Sequence, residues 1–151
     1  MIPVVTPAEM GAIDAAAPEP TAVLVERAGA AATREALDLL GGTYGRRAVV
    51  VAGPGNNGAD GRSVARRLAR RGVRVEVLDA RRLPARLPAG DLLVDAAFGT
   101  GFRGGWEPPP WEGPGPVLAV DVPTGVDGLT GAVRGVPWPA DRTVTFAALK
   151  L

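Results

Sequence analysis

Arg47-Ala-Val-Val-Val-Ala52, followed directly by Gly53-Pro-Gly-Asn-Asn-Gly-Ala-Asp-Gly61, is the stretch that decides the fold. A run with three adjacent valines and no polar interruption suits a strand buried on both faces, because β-branched side chains fit a pleated surface. The glycine turn leads into a helix read as Arg62 to Arg71 and closed by Gly72. Val73-Arg-Val-Glu-Val-Leu78 then returns as a second strand with alternating apolar positions. Strand, turn, helix and strand make a βαβ unit, so the two strands run parallel.

Outward from this unit, Asp91-Leu-Leu-Val-Asp95, Val117-Leu-Ala-Val-Asp121 and Thr143-Val-Thr-Phe146 read as three further strands. Upstream, Thr6-Pro7-Ala8-Glu9 carries a capping box with proline at the first helical position. That helix runs to about Ala17 and ends at Pro18 and Pro20. A longer one spans Thr21 to Leu40, with Val23, Ala30, Leu37 and Leu40 among its apolar positions, and stops at Gly41-Gly42. Trp106-Glu-Pro-Pro-Pro-Trp-Glu-Gly-Pro-Gly-Pro116 is too rich in proline to be helical. The elements predict one α/β domain over residues 1–151, Rossmann-like, in three layers with a mainly parallel sheet.

Composition narrows the chemistry. The 151 residues carry 17 basic and 16 acidic side chains for a net charge of +1, which argues against nucleic-acid and anionic-membrane partners. With no cysteine and no histidine, disulfides, thiolate nucleophiles, histidine triads and imidazole metal sites all drop out. Acid–base work falls to Asp, Glu, Tyr or the single lysine, Lys150. Met1 to Met10 lacks a basic start and a long apolar stretch, and no 18-residue apolar run occurs, so the expectation is a cytoplasmic protein.

Ligands of open parallel sheets bind beyond the carboxyl ends of the strands, and three such ends here carry polar, glycine-rich turns. Gly53-Pro-Gly-Asn-Asn-Gly58 fits GxGxxG, whose glycines let backbone N–H groups approach a phosphate at a helix N-terminus. A tight βα turn would need the same glycines for geometry alone. The carbonyls of Asn56 and Asn57 suit an amide ligand or a hard cation, while stabilisation by the helix dipole suffices to explain Asp60. Asp95-Ala-Ala-Phe-Gly-Thr-Gly101 reads as a second wall of the crevice, or as a solvated strand end. Asp121-Val-Pro-Thr-Gly-Val-Asp127 is the third, with Asp121 placed for proton transfer and Asp127 read as a turn former. Lys150 reaches the same sheet edge or is simply solvated.

Five ordered segments resemble the NAD(P)H-hydrate epimerases, also called the YjeF N-terminal domain. They are Thr6–Met10, Gly53–Gly61, Val94–Gly101, Val120–Asp127 and Thr143–Lys150. The resemblance implies interconversion of the R and S forms of NADHX and NADPHX, which are NADH and NADPH hydrated at C6. It implies that a separate ADP- or ATP-dependent dehydratase clears the S form. Asn56, Asn57, Gly58, Ala59 and Asp60, together with Gly99, Thr100, Gly101, Phe102, Arg103, Gly104, Gly105 and Asp121, would contact the dinucleotide. Asp121 would be the proton carrier, and a potassium ion would take oxygens from Asn57, Asp95 and Thr124.

The chain departs from the family pattern in several places. Ala59 stands for a glycine, with a methyl expected to crowd the backbone approach; Thr124 stands for serine and Arg27 for asparagine. The crossovers Ala80–Gly90 and Gly104–Pro116 are short, so one sheet face is expected to be thinly covered or completed by a second subunit in a homodimer. The family's usual further glycine turn and strand do not follow Lys150. Two other functions compete. Asp79, about 20 residues past the glycines, fits the ribose-binding acid of an NAD-dependent oxidoreductase. A non-catalytic dinucleotide-binding or interaction module of the same fold is the other.

Overall fold

The computed structural model describes residues 4–150, the last by its backbone alone. After β1 (Val4–Val5), helix α1 (Pro7–Ala16) starts on the capping box read from sequence. The Thr6 hydroxyl accepts from the Glu9 N–H at 3.2 Å, and the Glu9 carboxylate accepts from the Thr6 N–H at 2.7 Å. Helix α2 (Thr21–Leu40) ends on Gly41 at φ 62°. Its core-facing stripe is Gly29, Ala32, Thr33, Ala36 and Leu40, whereas Val23 is exposed. Small side chains let α2 close on α3: a Cβ at Gly29 would strike the Ser63 hydroxyl.

Strand β2 (Arg47–Ala52) is buried from Ala48 onward, as its valines require. Helix α3 (Asn56–Ala69) begins six residues before the expected Arg62, so both asparagines lie in its first turn. Gly58 and Gly61 are therefore helical residues chosen for contact rather than helix breakers. A side chain at Gly58 would meet the Gly53 carbonyl, and one at Gly61 would meet the Ala96 methyl.

The remaining strands are β3 (Arg74–Asp79), β4 (Leu92–Ala96), β5 (Val117–Val120), β6 (Arg142–Val144) and β7 (Leu149–Lys150). Five form one sheet in the order β3-β2-β4-β5-β6, parallel at every pairing. β1 pairs with β7 in a separate parallel ribbon that no local pattern announced. β6 stops at Val144, two residues short of the expected Phe146.

Both long helices cover one face of the sheet. Ala36, Val64 and Leu68 pack there against Val50, Val94 and Val120. Leu68 is fully buried, so truncation to alanine would cost about 2–5 kcal/mol. The opposite face has its third layer, built of irregular chain rather than helix among the described residues. Trp106 and Trp138, both buried, lie over Val49, Val51 and Leu93. Their rings meet edge-on at a centroid distance of 5.8 Å, and the Trp138 indole donates to the Pro109 carbonyl at 2.8 Å. The thin cover expected from the short crossovers is thus corrected: tryptophan area replaces helix length.

Candidate active site

The order of the large sheet fixes where a ligand goes. From β2 the chain moves outward to β3 and then crosses to β4 on the other side, so the connections that follow β2 and β4, strands paired to their last residues, lead to opposite faces of the sheet. The turns after these strands face each other at the carboxyl ends. Gly53 N–H donates to the Ala96 carbonyl at 3.0 Å, and any side chain at Gly53 would strike the Ala97 carbonyl. A cleft of about 1120 Å³ opens at this point, at or above the ~300–1,000 Å³ of ordinary small-molecule pockets.

Of the residues singled out from sequence, Asn56, Asn57, Asp60, Gly99, Thr100, Gly101, Phe102 and Asp121 line the cleft. Gly58 and Ala59 do not. Gly58 is buried against Gly53, and Ala59 donates its N–H to the Gly55 carbonyl at 3.0 Å as an ordinary helical residue. The expected crowding by the Ala59 methyl therefore falls outside the cleft wall. Arg103, Gly104 and Gly105 also lie off the wall; Arg103 braces the loop by donating to the Thr100 carbonyl at 2.9 Å. Asp95 and Thr124 sit behind it, both fully buried.

The structure adds residues that sequence reasoning missed. Met10 and Asp14 come from α1, Leu24, Val25 and Arg27 from the first half of α2, and Phe98 and Phe146 from loops. The one signal for them was that the first half of α2 carries bulky apolar residues outside its small-residue stripe. Phe98 stacks on Phe102 at 4.3 Å and meets Trp106 edge-on at 5.5 Å, so the second-face core runs into the cleft wall.

Asp121 stands one residue past β5 with φ 73°, a left-handed conformation that costs a non-glycine residue about 1–3 kcal/mol. Backbone and side chain are both anchored: its N–H donates to the Val144 carbonyl at 2.7 Å, and its Oδ2 accepts from the Thr100 N–H at 3.0 Å. Gly99 is needed beside it, since a Cβ there would lie 2.7 Å from Asp121 Oδ2.

Asp95 faces inward. Its carboxylate accepts from the Thr124 hydroxyl at 2.7 Å, the Thr124 N–H at 2.8 Å and the Ala97 N–H at 3.3 Å. Burial nevertheless pushes its pKa above the ordinary carboxylate range, these bonds opposing the shift only in part. Both polar atoms of the Asn57 amide are buried with no protein partner among the described residues. An amide oxygen without a bond, a buried carboxylate and a hydroxyl are all oxygen donors, the chemistry that suits a weakly hydrated cation such as potassium.

Asp60, the fifth residue of α3, lies beyond the reach of the helix dipole that its sequence position suggested. Burial first, then the charges of Asp121 and Asp14, push its pKa up to about 7. Asp79 behaves oppositely. Arg81 donates to both its oxygens, at 2.8 and 3.1 Å, and holds it well below the usual range; Asp79 does not line the cleft. This removes the ribose-binding acid of the oxidoreductase reading. Asp127 is the expected turn former, accepting from the N–H groups of Leu129 and Thr130 at 3.0 and 3.1 Å. The Lys150 side chain lies outside the described residues.

Comparison with known proteins agrees with this architecture. The family described as YjeF-related protein N-terminus matches residues 21–88 and 80–151. The chain is 38% identical to the NAD(P)H-hydrate epimerase of Limosilactobacillus fermentum, over 85% of this chain and 76% of that protein. It is 35% identical to the epimerase of the same name from Leuconostoc mesenteroides, over all of this chain and 83% of that one. The latter alignment runs to 194 positions against 151 residues here, so more than 40 positions of that relative face gaps. A bifunctional NAD(P)H-hydrate repair enzyme of Thermofilum pendens is 37% identical over 85% of this chain, which spans only 32% of that protein. The crystal structure of the yeast protein YNL200c superposes with a TM-score of 0.74 at 25% identity, covering 99% of this chain and 82% of that one. The chain belongs to the family of YjeF-related protein N-terminal domains.

Proposed function

We propose that this protein interconverts the R and S epimers of hydrated NADH and NADPH. The observation that carries the reading is Asp121, a carboxylate locked in left-handed backbone and bonded to Thr100 at the switch-point cleft. In the proposed substrate the hydrated C6 bears a hydroxyl beside the ring nitrogen. Inverting C6 of such a carbinolamine needs a C6–N1 or C6–O bond to break and re-form, a step driven by proton transfers that carboxylates can perform without histidine or cysteine. Support for a dinucleotide comes from the glycine turn, whose backbone leads into the N-terminus of the 14-residue helix α3. Support for the reaction comes from relatives named NAD(P)H-hydrate epimerase, of which this chain spans 76% and 83%.

A potassium ion held by Asn57, Asp95 and Thr124 belongs to this proposal. Bound there, it would supply fixed positive charge behind the cleft; the residues themselves tie the loops after β4 and β5 together. A dehydratase acting on the S epimer is the implied pathway partner, as the bifunctional names of longer relatives suggest. Among the described residues no helix is long and apolar enough to cross a membrane. A cytoplasmic site of action goes with the proposal.

The test is to incubate purified R-NADHX with the protein in potassium buffer and follow the S epimer by chromatography. A protein-free control corrects for spontaneous interconversion. Acceleration that disappears with Asp121→Asn supports the reading. A folded protein that binds the dinucleotide without accelerating the exchange overturns it in favour of the non-catalytic module.

A further inference from the structure

Three carboxylates from three separate elements face the cleft: Asp14 on α1, Asp60 on α3 and Asp121 after β5. Arg27 on α2 is the only cation on the cleft wall among the described residues, and it is drawn to Glu19 at 2.7 Å. The described loop residues after β4 and β6 contribute no charged side chain to the wall. Among the described residues no three acidic groups converge closely enough to hold a metal ion. Asp60 is half-buried at the cleft, and the charges of Asp121 and Asp14 face it.

We propose that Asp60 is the acid of the proton-transfer pair, with Asp121 across the same cleft as its base. This rests on the epimerase reading and extends it. Two carboxyl groups close enough to repel each other are suited to act on adjacent atoms, and the C6 hydroxyl and the ring nitrogen N1 are adjacent. Asp121 takes the hydroxyl proton as the C6–O electrons form a carbonyl. The C6–N1 bond breaks with its electron pair going to N1, which receives the Asp60 proton. Rotation about C5–C6 turns the other carbonyl face toward N1. Asp60 then recovers its proton as N1 attacks C6, and Asp121 returns its own to the new alkoxide. No water or external reactant is consumed.

The pair makes a prediction that a binding role for Asp60 does not. As pH rises through about 7 the Asp60 proton is lost from the free protein, so kcat/KM falls on that side of the profile. In Asp60→Asn, kcat drops by about 100-fold or more and that limb vanishes, while dinucleotide affinity stays within about threefold. Asp60→Glu restores part of the rate and the limb with it. Each rate is corrected for the protein-free reaction at the same pH. Wild-type protein that fails to accelerate the exchange defeats the epimerase reading itself. An active wild type whose Asp60→Asn variant keeps its rate and profile, or loses affinity as much as rate, overturns the proposal alone. If that variant does not fold, carbon-13 titration of the Asp60 carboxyl in the wild type decides. A midpoint near 7 supports the assignment, and one in the ordinary aspartate range overturns it.

Discussion

Asp95 and Asp121 look alike in the sequence, each closing a short apolar strand of the same sheet. In the structure they have opposite surroundings. Asp95 is enclosed, with Thr124 on both its oxygens; Asp121 reaches the cleft from a strained backbone and accepts a loop N–H. One position spends its carboxylate on joining two loops, and the other presents it to the cleft. A strand-ending acid is therefore not a role in itself. The neighbouring turn decides: Thr124 reaches back to Asp95, whereas Gly99 clears the space in front of Asp121.

The sharpest way to break this contrast is to neutralise each acid. Asp121→Asn should lower epimerisation by about 10²–10⁴-fold. Its melting temperature should hold or rise, because asparagine tolerates the left-handed conformation well. Equal loss of stability in that variant would place Asp121 in the scaffold with Asp95.

Asp95→Asn should show the reverse emphasis. Replacing one acceptor oxygen with an NH2 group leaves a buried N–H of Thr124 or Ala97 without its bond, at a cost of about 1–3 kcal/mol. Urea unfolding measures it. Thr124→Ser retains the hydroxyl and should lie close to wild type, while Thr124→Val should not.

Smaller effects come from pH and salt. The Asp60 value is about 7 in the folded protein, against an ordinary ~3.9 when unfolded. Between those limits the folded state binds a proton that the unfolded state does not, so this group's contribution to stability falls as pH rises from about 4 to 7. Melting temperatures of wild type minus Asp60→Asn should trace that fall. Potassium should raise the wild-type melting temperature more at high pH than at low pH, because only an ionised Asp95 attracts a cation. Asp95→Asn should abolish that difference. No potassium dependence at either pH would confine Asp95 to its bonds with Thr124 and Ala97.

Features that rest on near neighbours were legible in the sequence. The capping box at Thr6, the span of α2, the valine strand β2 and the turn at Asp127 all follow from residues within a few positions of one another. The ordered motifs alone also assign Asn56, Asp60, Gly99 and Asp121 to one sheet end, where the cleft opens. The start of α3 escaped, because Gly58 and Gly61 look like helix breakers until the Gly53 carbonyl and Ala96 methyl are seen against them. The cover of the second face escaped for a similar reason. Trp106 and Trp138 come from loops with no periodicity, and only packing says which face they bury. The raised pKa of Asp60 needed tertiary structure most, since it arises from burial and from charges 46 residues before it and 61 after it, on Asp14 and Asp121. Local chemistry sets an element's type and its caps; solvation and long-range charge exist only once the chain has closed around the site.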